Sequence, residues 1–339
     1  MAKIFKPVLL LLQGGAAMPA CAADAAVDAA AVEAGGASSE IVVTGMKFDR
    51  MLQDTPESVK VFTSEEIERQ NLVSVYDLID RTANLSSTFA KSGFNIRGIS
   101  NTNVSGYGFG DLATIYLDGS PLPSEAAAGG PLDLWDLDQA EILRGPQSTL
   151  QGRNALAGAI ILKTADPSFD WRGKARAMIT DADGEYRLAA AVGGPIIDDV
   201  LAFRVAGELA RGEGLIKNRL TGGNYARTNS EVVRAKLLFA PAGAGGVQIK
   251  ASYLYDRHFG NDGRGYVFSD VPDAWDNRHV LANRPTFTRT SADLFTFDVT
   301  LPIGDVFTLS SVSTYNHLKT FATYDGELRA EDEAYGDFA

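Results

Sequence analysis

From Trp171 onward the chain obeys a period of two. Trp171, Ala175, Ala177 and Ile179 fall on one side of an extended segment, and Arg172, Lys174 and Arg176 on the other. Leu201, Phe203, Val205 and Leu209 oppose Arg204 and Glu208, while Val233, Ala235, Leu237 and Phe239 oppose Arg234 and Lys236. Val247, Ile249, Ala251, Tyr253 and Tyr255 alternate with Gln248, Lys250, Ser252 and Asp256. Phe295, Phe297, Val299 and Leu301 alternate with Thr296, Asp298 and Thr300. Successive side chains of a strand point to opposite faces, so each run predicts a strand with one apolar and one polar face. With the less regular runs from Glu185 to Val192 and from Val306 to Asn316, the pattern predicts about seven strands.

The connections alternate too. Ile196 to Asp199, Ala240 to Gly246 and Pro302 to Asp305 are short, whereas Gly212 to Thr228 and Arg257 to Thr290 are long and polar. Asp181-Ala182-Asp183-Gly184 predicts the one short hairpin on the long-loop side; it resembles a piece of a calcium loop but lacks the rest. A soluble β-sandwich would also alternate. Short turns on one side, long loops on the other, aromatics near strand ends and a strongly charged polar face favour antiparallel transmembrane β-barrel strands around a water-filled or plugged lumen.

Upstream, periodicity predicts a mixed α+β unit from Met46 to Asp166. Ser58 to Phe62 alternates as a strand, and Ser64 is the expected N-cap of a helix whose first turn holds Glu65 and Glu66. Ser74 to Asp80 predicts a second short helix with Val75, Leu78 and Ile79 on one face. Phe94 to Ile99 predicts a strand with a central Arg97, and Ala113 to Leu117 a strand ended by an Asp118-Gly119 turn. Gly106 to Gly110 and Ala126 to Gly130 have the composition of mobile loops. Glu141 to Arg144 and Ala159 to Lys163 predict two strands flanking a Gly-rich connection. That connection is no phosphate loop: six residues separate Gly145 from Gly152, and Arg153-Asn154 follow where Lys-Ser/Thr is needed.

Composition narrows the chemistry. The 339 residues carry 43 acids against 31 Lys and Arg, a net charge of −12, which argues against a nucleic-acid surface. Three scattered histidines and one cysteine, Cys21, give no metal site and no disulfide framework. No cofactor is expected. Residues 1–22 have the form of a signal peptide: Lys3 and Lys6, an apolar core from Val8 to Leu12, then Ala20-Cys21-Ala22 for cleavage. The rival reading makes Cys21 a lipid-modified N-terminus. No later run reaches the roughly 18 apolar residues of a helical span. Residues 23–39 are Ala-rich and predict a disordered leader. Glu40-Ile41-Val42-Val43-Thr44-Gly45 follows, a β-branched run that suits either a first strand or a strand offered to a partner's sheet edge.

Together EIVVTG, TPESVKVFTSEEI, FNIRGI, IYLDG and EILRGPQSTLQGRNALAGAI resemble the TonB-dependent outer-membrane receptors over nearly all of the chain from Glu40. The resemblance implies a TonB box at residues 40–45, a plug domain at 46–166 and the N-terminal portion of a transmembrane barrel at 167–339. Ser148, Gln151 and Ile161-Leu162-Lys163 depart from the usual pattern without removing it. In such a receptor the extracellular loops take a scarce ligand, most often a ferric siderophore. Glu40, Ile41, Val42, Val43, Thr44 and Gly45 add a strand to TonB, which works with ExbB–ExbD of the inner membrane. Arg97, Arg144 and Arg153 are then candidates for plug-to-barrel contacts with acids of the lumen wall. Asn101, Asn103, Tyr107 and Phe109 are candidates for ligand contact, with Ser124 to Gly130 as a second apical loop. The implied protein is a transporter in contact with outer-membrane lipid, not an enzyme.

A plugged transporter barrel has ~22 strands and needs about 500 residues. About seven strands predict an incomplete barrel and a chain that is a fragment or a truncated product. Two other classes compete. A non-coupled porin would lack the TonB-box segment and the Gly-rich stretch. A periplasmic or secreted β-sandwich carbohydrate-active protein would need paired carboxylates in a cleft; the acids at Glu327, Glu331, Asp332 and Glu333 fit a solvated loop better.

Overall fold

The computed structural model describes residues 42–43, 50–51, 58–88, 91–101, 112–147, 155–180, 184–214, 216–241, 245–260, 279–304 and 307–323. The signal peptide, the leader, the Asp181–Asp183 part of the first hairpin and the acidic stretch after Thr323 lie outside them. Two short strands come first: β1 (Val42–Val43) pairs antiparallel with β2 (Arg50–Met51).

The α+β unit then begins with β3 (Ser58–Thr63), followed by α1 (Ser64–Arg69) and α2 (Val75–Asp80). Thr63, not Ser64, caps α1: its side chain accepts the Glu66 N–H at 3.3 Å. Adjacent hydroxyl residues compete for this role, and the one at the strand–helix junction keeps the extended backbone that a cap needs. Ser74 caps α2 in a capping box with Asp77, whose carboxylate accepts the backbone N–H of Ser74 at 3.0 Å.

Strands β4 (Leu85–Thr88), β5 (Gly93–Ile96) and β6 (Ile99–Ser100) make a three-stranded sheet. Arg97 is therefore not a mid-strand residue. Arg97 and Gly98, at φ of 52° and 80°, are the two turn residues between β5 and β6. Two positive-φ residues give the hairpin turn that matches strand twist, and glycine at the second position is its signal. The same geometry recurs at Asp118-Gly119, which joins β7 (Ala113–Leu117) to β8 (Ser120–Pro121). Residues Ser124–Ala128, expected in part as a mobile loop, form a 3-10 helix with Ala126 and Ala127 buried.

Strands β9 (Leu137–Arg144) and β10 (Gly158–Thr164) complete a five-stranded mixed sheet in the order β3-β9-β10-β7-β8. Only β10 and β7 pair in parallel. One face, with Phe62, Ile115, Leu117, Ile142, Ile160 and Leu162, packs on Ile67, Val75, Leu78 and Ile79 of the helices to form the main core. The Gly158 backbone, at φ 153°, runs so close to β9 that a Cβ there would stand 2.3 Å from the Leu143 carbonyl oxygen.

The alternating half forms one seven-stranded antiparallel meander. Its members are β11 (Arg172–Ile179), β12 (Tyr186–Ile197), β13 (Leu201–Gly212), β15 (Thr228–Phe239), β16 (Gln248–Gly260), β18 (Phe287–Ile303) and β19 (Phe307–Thr323). The long connections hold β14 (Lys217–Asn218) and β17 (His279–Val280), which pair in parallel with each other. Ile216, Tyr225, Val280 and Ala282 cluster there, so the two long loops share a small core.

A single continuous sheet rules out the sandwich, which needs two sheets packed face to face. One face of the meander carries the charged residues and faces the α+β unit. The other leaves Leu188, Val205, Val233, Leu237, Phe295 and Phe297 exposed. No second protein layer covers them, which is the arrangement of strands that meet lipid. Among the described residues no helix is long and apolar enough to cross a membrane.

Gly158→Ala should destabilise the five-stranded sheet by roughly 1–3 kcal/mol through backbone overpacking. Thermal unfolding of the purified chain reads this: the transition should move to lower temperature, whereas Gly98→Ala, with open space around it, should cost less.

Candidate functional site

The site with most chemistry is the boundary between the α+β unit and the charged face of the meander. It is built around Asp133-Leu134-Trp135-Asp136, the segment that leads into β9. Asp136 holds a positive φ of 59°, which aspartate tolerates better than most residues. The bend sends neighbouring side chains outward toward β11, β12, β13 and β15.

Each acid meets a cation of the wall. Asp136, almost fully buried, takes a two-pronged contact from Arg204: Nε donates to Oδ2 at 2.7 Å and Nη2 to Oδ1. Lys174 reaches the same carboxylate at 3.5 Å and Glu68 of α1 at 2.7 Å. Asp133 accepts from Arg187 at 3.1 Å and from the Ser230 hydroxyl at 3.0 Å. Arg234 donates to the backbone carbonyls of Asp133, at 3.0 Å, and of Trp135. Bidentate guanidinium–carboxylate contacts fix orientation as well as charge.

Between these acids the Trp135 ring is buried against Ala189, Ala191 and Ala206 of the wall. Small residues make the hollow, and the ring fills it. Lys174 and Arg176 lie over the ring at 4.8 and 4.9 Å, and the indole N–H donates to the Ala190 carbonyl at 3.3 Å.

A second group lies nearer the short turns. The Asp118 turn carboxylate accepts the Thr164 N–H at 2.9 Å and its hydroxyl at 2.6 Å, clamping β7 to the end of β10. Buried Lys236 then bridges Asp118 at 3.2 Å, Asp166 at 3.1 Å and the Thr164 carbonyl at 3.0 Å. Lys250 adds a contact to Asp166 at 3.1 Å. Burial pushes the Asp166 carboxyl up, but the charges and hydrogen bonds of Lys236 and Lys250 outweigh it and hold its pKa below the usual 3.8. These residues border a cavity of about 590 Å³, whose wall also carries Ser252, Thr296 and Thr300.

Apolar contact joins the halves at a third place. Leu254, Ala292 and Leu294 of the wall belong to the main core with Phe62, Leu122 and Ala126, and Leu318 packs against it. Near the long-loop ends of the same strands, a Cβ on Gly129 would stand 3.1 Å from His258 and 3.3 Å from Thr290.

The sign of the boundary is opposite to the expected one, with acids on the α+β unit and cations on the wall. Arg144 donates to the Ala83 carbonyl at 3.3 Å, within the α+β unit. Arg97 is exposed at its turn, and its guanidinium lies over Gly145, where a Cβ would be 3.3 Å away. Arg153 lies outside the described residues. So do Asn103, Tyr107 and Phe109. Asn101 is described and buried; its side-chain oxygen accepts the Phe94 N–H at 2.8 Å, which ties it into the turn rather than offering it to a ligand. Of the six-residue segment 40–45, Val42 and Val43 are described, in their hairpin with Arg50 and Met51.

The acids that make the contacts escaped the sequence reading. Asp133, Asp136 and Asp138 alternate with leucines in PLDLWDLDQ, and three acids beside a tryptophan upstream of basic-faced strands were the available signal.

Residues 51–159 match the family described as the TonB-dependent Receptor Plug Domain. The ferrioxamine B receptor of Salmonella typhimurium strain LT2 is 30% identical over 161 residues, covering 45% of this chain and 22% of that protein. The ferrioxamine receptor of Yersinia enterocolitica is 22% identical over 284 residues, covering 81% of this chain and 38% of that protein. Among solved structures, the ferric yersiniabactin uptake receptor FyuA of Yersinia pestis superposes with a TM-score of 0.68 at 22% identity, over 79% of this chain and 42% of its own. The ferric-catecholate import receptor Fiu of Escherichia coli K12 superposes in its open form with a TM-score of 0.67 at 19% identity, over 84% and 42%. The chain thus spans about two fifths or less of the length of these relatives.

Lys236→Met should loosen the docked unit by roughly 3–5 kcal/mol, because it leaves buried carboxylates uncompensated. Amide exchange in β7 and β10 should quicken accordingly. Asp166, with its lowered folded pKa, contributes fully above 3.8 and loses its contribution as pH falls below that value. Asp166→Asn should therefore flatten the acid limb of the same exchange profile; an unchanged limb would exclude this role.

Proposed function

Because the chain is a TonB-dependent outer-membrane receptor in its plug domain and first barrel strands, we propose that it serves TonB-coupled uptake of a ferric siderophore. One observation carries this reading: the plug docks by charge on the inner face of a sheet whose outer face is bare and apolar. A wall of that kind encloses a lumen, and the plug occludes it. The names of the relatives, receptors for ferrioxamine and for ferric yersiniabactin, support an iron chelate as the cargo.

Energy coupling follows from the segment 40–45. Val42 and Val43 pair with Arg50 and Met51 through only a few backbone hydrogen bonds. A partner that offers a longer sheet edge competes well for such a strand, because β-addition draws its affinity from the backbone. We assign that partner as TonB, driven by ExbB–ExbD, with Glu40, Ile41, Val42, Val43, Thr44 and Gly45 as the added strand.

Pulling on this strand acts on a plug held by hydrogen-bonded ion pairs. Such pairs hold position sharply, yet each separated partner can be rehydrated in a water-filled lumen, so displacement does not strand a large apolar face. The ligand meets the plug from the long-loop side, where Asn103, Tyr107 and Phe109 and the Ser124–Gly130 segment are the assigned contacts. Asn101 acts one step back, by holding the turn that leads into them.

Val42→Pro in the complete receptor tests the coupling. Proline removes a donor from the added strand, so uptake of the ferric siderophore into cells should stop while binding to the cell surface persists. Uptake at the parent rate would refute the assignment of residues 40–45.

A further inference from the structure

The outward face of the meander is apolar over its middle but not at its long-loop end. Arg211, Arg227, Arg257 and Arg289, with Glu231 and Phe259, line a shallow depression of about 610 Å³ there. Strand register explains the convergence. Arg211, Asn229, Phe259, Arg289 and Phe321 are successive partners across β13, β15, β16, β18 and β19. The next row toward the middle runs Glu231, Arg257, Ser291 and Lys319. Both rows share the outward parity of exposed Val205, Val233 and Phe295.

This cluster is strongly cationic on a chain whose net charge is −12. Glu231 pairs with Arg211. Among the described residues no carboxylate pairs with Arg227, Arg257, Arg289 or Lys319, all four of which are exposed. Like charges so close repel one another, so the arrangement calls for an anion. Rings brace the guanidiniums instead: Arg289 lies 5.9 and 5.7 Å from the Phe259 and Phe287 centroids, and Arg257 lies 5.9 Å from that of Tyr255. Phe287 in turn packs at 5.3 Å on Phe259 and 5.9 Å from Phe321.

The level on the wall identifies the anion. Trp171 and Phe203 form an aromatic pair at the short-turn end, 5.8 Å apart. From Phe203 to Arg211, β13 runs about 26 Å, close to the ~25 Å apolar band that aromatic girdles bracket. The cations therefore sit at headgroup depth, where a charge on the lipid face costs little. Guanidinium forks match phosphate oxygens in pairs. Directly below, the outward rows offer apolar side chains on which acyl chains can lie.

We propose that this patch is a binding site for the phosphate-bearing headgroup of an outer-leaflet membrane lipid. It uses the outer face only and is independent of the strand exchange at residues 40–45. A free phosphate ion would satisfy the arginines but would gain nothing from the apolar rows beneath them, which is why the lipid is the assigned occupant.

Titration of the complete receptor in dodecyl maltoside micelles, read by native mass spectrometry, tests the proposal. The probes are diphosphoryl lipid A, its enzymatically dephosphorylated form, and inorganic phosphate. The phosphorylated lipid should bind, and the paired substitution Arg257→Gln with Arg289→Gln should weaken it about tenfold or more. Arg69→Gln, an equal charge loss on plug helix α1, should leave it unchanged. Where the double variant does not insert, Arg227→Gln and Lys319→Gln singly should each weaken binding about threefold. Equal binding of the dephosphorylated lipid would overturn the proposal. So would displacement by equimolar inorganic phosphate, which marks a free-anion site, or parental affinity in the variants.

Discussion

The structure depends on one constraint: carboxylates taken out of water at the plug–wall boundary must find their cations there. Asp136 on Arg204, Asp133 on Arg187 and Asp166 on Lys236 and Lys250 satisfy it. Such pairs add little net stability, because desolvation offsets most of the attraction. Their effect is on position. A plug shifted by one strand row would bury several charges without partners, and each would cost several kcal/mol. Trp135 in its alanine hollow and the Leu254–Leu294 contact supply the apolar attraction, while the ion pairs determine where it is used.

The two faces of the meander follow from the same alternation. Inward residues are charged because they meet a polar plug or a wet lumen. Outward residues are apolar until the strand ends, where arginines and aromatic rings take over. A period of two thus separates three environments: plug, lipid chains and headgroups. The long loops cover the outer end with their own small core around Val280 and Ala282. The bend at Asp136 and the turn at Asp118 are the places where the plug chain departs from ordinary backbone to reach the wall.

Much of this was legible in the sequence. All seven wall strands were visible, because alternation is local and one-residue slips invert every face. The helices, the Asp118-Gly119 turn and the Gly-rich link between β9 and β10 were visible for similar local reasons. Contacts formed across long stretches of chain were not. Asp133 and Ser230 are 97 positions apart, and Asp136 and Arg204 are 68. Nothing within a window of ten residues says which charges will meet, so the arginines of the plug were chosen where its aspartates make the contacts. Arg97 was misplaced for a different reason: FNIRGI has strand composition, and only the Arg-Gly pair betrays the turn. Thr63 and Ser64 are chemically near-equivalent caps, and the end of β3 decides between them.

The most direct measurement is a double-mutant cycle on Asp136→Asn and Arg204→Gln, with plug opening in the complete receptor read by amide exchange of β9. If sign-matched pairing positions the plug, the two substitutions should be coupled by at least ~1.5 kcal/mol, as close charge pairs at interfaces are. Effects that add to within ~0.5 kcal/mol, as independent sites do, would contradict the account.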